Sequence, residues 1–235
     1  MKARRDSILP LLLLALAVAG RAAQLPAAGD GEPATKAAGK IVETLALVES
    51  ALTATRYQHA TVVNVKKGIF YWDCSGMTAW VLDRAAPKAR LKLPGKHPLA
   101  RDVYKVIDKS PAGQPKGGWQ RLTQPGEIRP GDLFAWLKPD FWKNHKNTGH
   151  VGFVVEAPRP HPSHPGVWLM RVADASRYLH EGDSRSDDGV GGFGTGTMAF
   201  QFDEGGTPVA YGWYGTPQDP QTYVPTKIIF GRVTK

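Results

Sequence analysis

The chain has 235 residues, of which 42% are hydrophobic and 22% charged, a composition typical of a globular protein and not of a disordered one. Its formal charge of +9 favours a polyanionic partner such as a cell-wall polymer, lipopolysaccharide or anionic lipid, although solubility alone accounts for it equally well. The basic residues are expected to be scattered, without an interleaved aromatic stripe, which argues against nucleic acid as a partner.

The first 19 residues are typical of a secretory signal peptide. A basic start precedes an apolar run from Ile8 to Val18, which is shorter than the roughly 20 residues that a membrane-spanning helix needs. The small residues of Ala17-Val18-Ala19 then provide a cleavage site. We expect a protein that is exported to the periplasm or secreted, with no stable membrane insertion after residues 1–19 are removed. An uncleaved anchor is the alternative.

Helices are predicted in the first half of the chain. Residues 20–39 are rich in Ala, Gly and Pro and favour a flexible lead-in. A helix is predicted from Lys40 to about Arg56, because apolar residues recur every three or four positions, at Ile41, Leu45, Val48 and Leu52. A second helix follows the sequence YWDCSG, so Cys74 is expected at a helix N-terminus.

Strands are predicted in the second half. Residues 85–118 look irregular, apart from a short helix around residues 100–107. From Ile128 onward six runs favour strands: GDLFAWL, HVGFVVEA, VWLMRVADA, TMAFQFD, PVAYGWY and KIIFGRV. Helices followed by strands predict one α+β domain over residues 40–235, in which N-terminal helices pack on one side of a C-terminal antiparallel sheet.

Cys74 is the only cysteine of the chain. An oxidising compartment favours cysteines in pairs, so a lone one is either a small buried hydrophobe or a functional thiol. Its expected place at a helix N-terminus favours a functional thiol, because the positive end of the helix dipole stabilises the thiolate, which is the nucleophilic form.

A cysteine nucleophile needs a base, and His150 is the best placed of the seven histidines. It opens the alternating strand HVGFVV directly after a polar loop, which would hold the ring firmly and leave it accessible. His97 and His180 are expected in polar loops, and the sequence HPSHP in an exposed turn. His161 and His164 are spaced to chelate a metal, but the flanking prolines and the lack of a third ligand argue against it. We expect neither a metal nor an organic cofactor.

A catalytic histidine is normally oriented by a third polar group. In the strand VWLMRVADAS, Met170, Val172 and Asp174 fall on one face, and a carboxylate at the end of an apolar face is unusual without a partner. Asp174 is therefore the predicted orienting residue, and Ser176 is the next candidate on that face. The alternative is an exposed aspartate at a strand end.

Three motifs in this order, DCSG, RPGDLFAW and GHVGFVVE, resemble the NlpC-type family of bacterial cell-wall cysteine peptidases, a papain-like group. The resemblance runs from about Tyr57 to Asp174. It implies a papain-like fold, with Cys74 as the nucleophile and His150 as the base. The third catalytic position falls on Asp174, where the family usually has His, Asn or Gln.

The resemblance also implies three substrate-binding residues. Asp73 and Ser75 correspond to residues that help to bind the amino end of a wall peptide, and Tyr57 corresponds to the family's upstream tyrosine. The Gly-Gly that follows this tyrosine in the family is missing, and the longer segment VVNVKKGIFYW replaces it, so substrate choice stays open. Without the family, Ser75 is typical of a helix N-cap and Asp73 of a favourable charge beside the helix dipole.

The expected function is that of an exported thiol protease that cleaves peptide amide bonds through a Cys-His-Asp thiolate mechanism. Peptidoglycan stem peptides are the substrate class that the resemblance implies. Two alternatives remain. One is a non-catalytic cell-wall-binding module with the same fold, although such a module needs neither Cys74 nor His150. The other is an amidase or acyltransferase acting on a substrate outside the wall.

Overall fold

The computed structural model describes residues 31–143, 147–186, 189–213 and 223–235. The predicted signal peptide and most of the predicted lead-in lie outside the described residues. The described helices are α1 (Lys36–Ala51), α2 (Cys74–Ala85), α3 (Pro87–Arg90) and α4 (Ala100–Asp108). None of these four helices has the length and apolar character needed to cross a bilayer.

The described strands form two sheets. The small sheet contains β1 (Ala54–Tyr57), β2 (Val62–Asn64) and β3 (Ile69–Trp72). The large sheet contains β4 (Trp119–Leu122), β5 (Leu133–Leu137), β6 (Gly149–Val154), β7 (Arg159–Pro160), β8 (Val167–Ser176), β9 (Gly192–Phe202), β10 (Pro208–Gly212), β11 (Val224–Pro225) and β12 (Ile228–Val233).

The large sheet is antiparallel throughout its described pairs. Its strand order is β11-β10-β9-β8-β6-β5-β12-β4, with β7 beside β8. Each of the six predicted runs overlaps one of its strands, and the short helix predicted around residues 100–107 is α4. The predicted α+β class and the antiparallel sheet are therefore confirmed.

Two hydrophobic cores lie on the two faces of the large sheet. Helices α1, α2 and α4 cover one face, where their apolar side chains meet those of the strands in a cluster that includes Ile41, Met77, Val103, Phe153 and Ile229. The sheet curls so that its other face encloses a second core. In this core the rings of Trp136 on β5 and Tyr211 on β10 stack with centroids 4.1 Å apart, although these strands are not neighbours.

The chain around the first helix differs from its prediction. Helix α1 begins at Lys36, because the Thr35 side chain accepts a hydrogen bond from the Ala38 N–H and caps it there. It ends at Ala51, so residues 54–57, expected near the end of the helix, form β1 instead. Strand β1 runs parallel to β3 and places Tyr57 beside Trp72, directly before Asp73 and Cys74.

Candidate active site

Cys74 is the first residue of α2, as the sequence predicts. The cap of this helix is Asp73, whose Oδ1 accepts from the Gly76 N–H at 2.8 Å. The prediction that Ser75 caps the helix is wrong. Ser75 lies in the first turn, and its hydroxyl donates to the same Asp73 oxygen at 2.9 Å. The Cys74 N–H has no acceptor among the described residues, so it is free to stabilise an oxyanion.

His150 is held at the start of β6 by tight backbone packing and by aromatic rings. The preceding Gly149 has φ +126°, and any side chain there would collide with the Trp136 carbonyl oxygen, so only glycine fits. The His150 ring lies 4.8 Å from the Trp136 ring and 5.5 Å from the Trp213 ring, measured between centroids. These rings leave His150 9% exposed, which keeps most water away from it.

The structure brings Cys74, His150 and Asp174 together. His150 Nε2 lies 2.6 Å from Asp174 Oδ2, and the Cys74 side chain lies beside the same imidazole, where both residues line one cleft. Because Nε2 is taken by the carboxylate, Nδ1 is the nitrogen left for the thiol. Asp174 is completely buried, so the alternative of an exposed strand-end aspartate is wrong.

Neighbouring charges decide the protonation state of this group. Burial alone would lower the pKa of His150, but the Cys74 thiolate and the Asp174 carboxylate raise it to about 10. Burial would raise the pKa of Asp174, but the imidazolium groups of His180 and His150 hold it well below its usual range. At neutral pH, His150 is therefore an imidazolium beside the Asp174 carboxylate.

A second histidine completes the site from the far side of Asp174. His180 Nε2 lies 3.0 Å from Asp174 Oδ2, and His180 Nδ1 lies 2.9 Å from Asp183 Oδ2. Since both ring nitrogens face carboxylate oxygens, both carry protons and His180 is also an imidazolium. Burial lowers its pKa, but the two carboxylates together raise it above its ordinary value. His180 lies in a loop, as the sequence predicts, but its side chain is fully buried.

Arg185 continues this series of charges. Its Nη2 lies 2.6 Å from Asp183 Oδ2, and its Nη1 donates to the carbonyl oxygens of Ser176 and Gly192 at 2.9 Å each. When the thiol is ionised, the charges of six neighbouring side chains alternate in sign and add up to zero. In order, these side chains are Cys74, His150, Asp174, His180, Asp183 and Arg185. Such a neutral, hydrogen-bonded series is one way to keep ionised groups buried.

Two glycines on β9 make room for the loop that carries His180. Gly194 and Gly196 stand opposite Asp174 and Val172 in the β8–β9 register. A side chain on Gly194 would collide with Arg185, and one on Gly196 would collide with His180. The alternating glycines of GGFGTGTM therefore indicate that a loop packs closely on β9. The polar residues of the sequence do not carry this signal.

One end of this series, Cys74 and His150, opens onto a cleft of about 920 Å³. All three predicted substrate-binding residues, Tyr57, Asp73 and Ser75, line it together with Cys74 and His150. Five aromatic side chains also line the cleft: Trp136, Trp142, Tyr178, Tyr211 and Trp213. The cleft thus offers polar groups on one part of its lining and large apolar faces on another.

Tyr57 and Asp73 form a polar corner beside the nucleophile. Burial, followed by the negative charges of Cys74 and Asp73, raises the pKa of Tyr57 far above its usual value, so its hydroxyl stays neutral. The second oxygen of Asp73 lies 2.9 Å from Nδ1 of His59, whose ring is exposed to solvent. The guanidinium of Arg177 lies 5.4 Å from the centre of the Tyr57 ring.

The pair His161 and His164 lies in a separate turn. Their Nδ1 atoms are 3.0 Å apart. The described residues hold no group of three His, Cys, Asp or Glu side chains that could bind a metal ion.

No protein-family model, curated protein or solved structure matches this chain significantly. The geometry of the site therefore carries the functional argument.

Proposed function

We propose that this protein is an exported cysteine hydrolase that cleaves peptide amide bonds, with the papain-like arrangement of helices on an antiparallel sheet. One observation carries the proposal. Cys74, at the start of a helix, lies beside the imidazole of His150, which Asp174 orients through a hydrogen bond of 2.6 Å, and the first two line an open cleft. This is the arrangement that nucleophilic acyl transfer by a thiol requires.

The reaction proceeds in two halves. The Cys74 thiolate attacks the carbonyl carbon of the scissile amide, and the Cys74 N–H stabilises the negative charge that develops on oxygen. His150 gives its Nδ1 proton to the departing amine, which leaves an acyl-enzyme and a neutral imidazole. His150 then takes a proton from water as the water attacks the acyl group. Departure of the acid restores the thiolate and the imidazolium.

A binding module would have little use for these buried charges. Ionised groups lose hydration when they are buried, and a buried ion pair is often no more stable than apolar residues of similar volume. A pure binder with this fold would be better served by apolar side chains at His150 and Asp174. The buried alternating charges behind the cleft therefore favour the enzyme over the non-catalytic alternative.

Peptidoglycan stem peptides are the substrate class that we propose. Support comes from the resemblance of the DCSG, PGDL and HVG motifs to wall peptidases, and from the polar corner beside Cys74. The Asp73 carboxylate and the Tyr57 hydroxyl line the cleft next to the nucleophile, where they can receive the free amino end of a short peptide. The bond between D-glutamate and a diamino acid would then lie over the thiolate.

The test is digestion of purified wall fragments, with the products identified by mass spectrometry. The expected result is stem peptide cut at one amide bond by the wild type and left intact by Cys74→Ala. An added amine acceptor separates hydrolysis from acyl transfer, because an acyltransferase would give a product heavier by the acceptor. Wild-type protein that binds wall fragments and cleaves no amide would support the binding module instead.

A further inference from the structure

Nearly all of the net charge lies in one segment of the chain. Residues 84–121 contain ten lysines and arginines against two aspartates, a formal charge of +8, while the whole chain carries +9. Basic residues occur along the whole chain, but outside this segment acidic residues offset them almost completely. Seven exposed side chains of this segment are named here the basic surface: Lys88, Lys92, Lys96, Arg101, Lys105, Lys109 and Lys116.

The parts of this segment pack on one another. The Trp119 indole donates to the Ala89 carbonyl at 2.9 Å, which ties β4 to α3. The Lys92 side chain lies against Gly117, 3.0 Å from where a Cβ would stand, and so brings Lys92 beside the loop that carries Lys116. Helix α4 lies between these two loops in the chain and packs against β4, so the parts of the basic surface lie on neighbouring elements.

The side chains of the basic surface do not stabilise the fold through ion pairs. None of its seven side chains forms a salt bridge with a carboxylate among the described residues. Arg101 and Lys105 on α4 and Lys109 at its C-cap are exposed and follow one another four residues apart, so they share one side of the helix. Like charges at this spacing destabilise a helix by a few tenths of a kcal/mol per pair. An anionic partner would relieve this repulsion.

One apolar side chain protrudes among these cations. Leu91 is 82% exposed, between Lys88 and Lys92. The loop that follows it is fixed from below by the buried Arg90, whose Nη2 donates to the Gly95 carbonyl at 2.8 Å and to the Lys96 carbonyl at 3.2 Å. Leu91 therefore projects from a well-anchored part of the chain.

We propose that the basic surface binds the anionic phospholipid headgroups of a membrane, with Leu91 entering the interface. A soluble polyanion would satisfy the lysines but would leave the leucine in water, whereas a bilayer offers anionic headgroups above apolar chains. Leu99 and Ala100 line the cleft and directly precede Arg101, so bound protein would hold the cleft close to the membrane. This inference does not depend on the proposed hydrolase activity.

The test is sedimentation of the full-length protein with vesicles of phosphatidylcholine alone or mixed with phosphatidylglycerol. Binding is expected only to the mixed vesicles and should weaken as salt is added. Each cation near such a surface strengthens binding about fivefold, so Lys88→Gln, Lys92→Gln and Lys96→Gln together should weaken it about a hundredfold. Leu91→Ser should weaken it about tenfold.

The matched control removes the same charge elsewhere. Lys40, Lys66 and Lys67 are exposed and lie outside the segment, and changing all three to Gln should leave binding within about twofold. All variants share the same first 30 residues, so any contribution of those residues to binding cancels. An equal loss in the control would overturn the proposal. So would Leu91→Ser binding like the wild type while soluble polyphosphate competes fully, because the ligand would then be a soluble polyanion.

Discussion

His180 donates a hydrogen bond to the same Asp174 oxygen that His150 contacts, at 3.0 Å against 2.6 Å. The other oxygen of Asp174, Oδ1, is buried and has no hydrogen-bond partner among the described residues. One carboxylate oxygen thus serves two imidazolium groups. His180 fixes the position of Asp174 by this contact, as Asp174 fixes that of His150, so His180 is a positioning residue although it does not line the cleft.

Substitution of His180 should slow catalysis and leave substrate binding nearly unchanged. His180→Gln keeps an N–H that can reach Asp174 but loses the charge, whereas His180→Leu loses both. We expect kcat to fall in the order wild type, Gln, Leu, by roughly tenfold for Leu. KM should stay within about twofold, because His180 does not touch the cleft. Steady-state kinetics on one peptide substrate would check this, and equal kcat in all three proteins would remove His180 from the site.

The glycines of β9 should prove essential to the same group. In Gly196→Ala the new methyl group would press against His180, the Glu181 carbonyl oxygen at 3.1 Å and the Asp183 Cα at 3.3 Å. We expect a loss of about 1–3 kcal/mol in the free energy of unfolding, measured by urea denaturation, together with reduced activity.

Gly39→Ala is the matched control for that substitution. Gly39 lies within α1 and has open space around its Cα, so alanine there should stabilise the fold by up to about 1 kcal/mol. Similar unfolding energies for Gly196→Ala and the wild type would mean that the loop has room to move away from β9.

The main parts of the candidate site could be predicted because each lies on an element with a clear local pattern. Cys74 begins an apolar helical repeat, His150 opens an alternating strand, and Asp174 ends one. The role of His180 could not be predicted, because its loop has no periodicity. The position of its side chain depends on which residues of β9 lie beneath the loop. Long-range register of this kind is set by packing and not by local preference.

The small sheet escaped prediction for a related reason. The sequence ATRY of β1 has no apolar alternation, and its parallel pairing with β3 joins residues 15 apart. What holds it are tertiary hydrogen bonds: the Thr55 hydroxyl donates to the Phe70 carbonyl at 2.9 Å and accepts from the Phe193 N–H at 2.7 Å. These contacts place Tyr57 at the cleft, which is the position that the family resemblance implies for it.

Cys74 should be both essential and unusually reactive. Cys74→Ala should abolish hydrolysis while the thermal unfolding temperature stays close to that of the wild type. Iodoacetamide should add one group per chain well below pH 8, because the His150 imidazolium stabilises the thiolate. Urea-unfolded protein at the same pH is the control, since it contains the same thiol without its partner. Slower labelling in the folded than in the unfolded protein would contradict a preformed ion pair.

The buried charges should also make the free energy of unfolding depend on pH. The pKa of His150 is raised to about 10, so its contribution is complete below about pH 6.5 and is lost as the pH rises to about 10. The pKa values of Asp174 and Asp183 are lowered, so their contributions are present above about pH 4 and are lost as the pH falls below it. Stability from these groups should therefore peak between about pH 4 and 6.5.

Urea denaturation at a series of pH values would measure this peak. The pKa of His180 is also raised, so it contributes to the loss above pH 6.5, and His180→Gln should make that loss shallower. An unchanged slope in His180→Gln would show that His180 is not ionised in the folded protein.

Asp174 offers the sharpest test of the site, because charge and hydrogen bonding can be removed one at a time. Asp174→Asn can still place an oxygen where Oδ2 accepts from His150, but it has no charge, and Asp174→Ala has neither. We expect activity in the order wild type, Asn, Ala, with a loss of roughly 10²-fold or more for Ala. Without the carboxylate, the pKa of His150 should fall, so the alkaline decline of kcat/KM should move from near pH 10 to lower pH in the Asn variant. Kinetics from pH 6 to 10 would show this, and Ser176→Ala serves as the control on the same strand face. An Ala variant as active as the wild type, with an unmoved alkaline decline, would leave Cys74 and His150 to act as a pair.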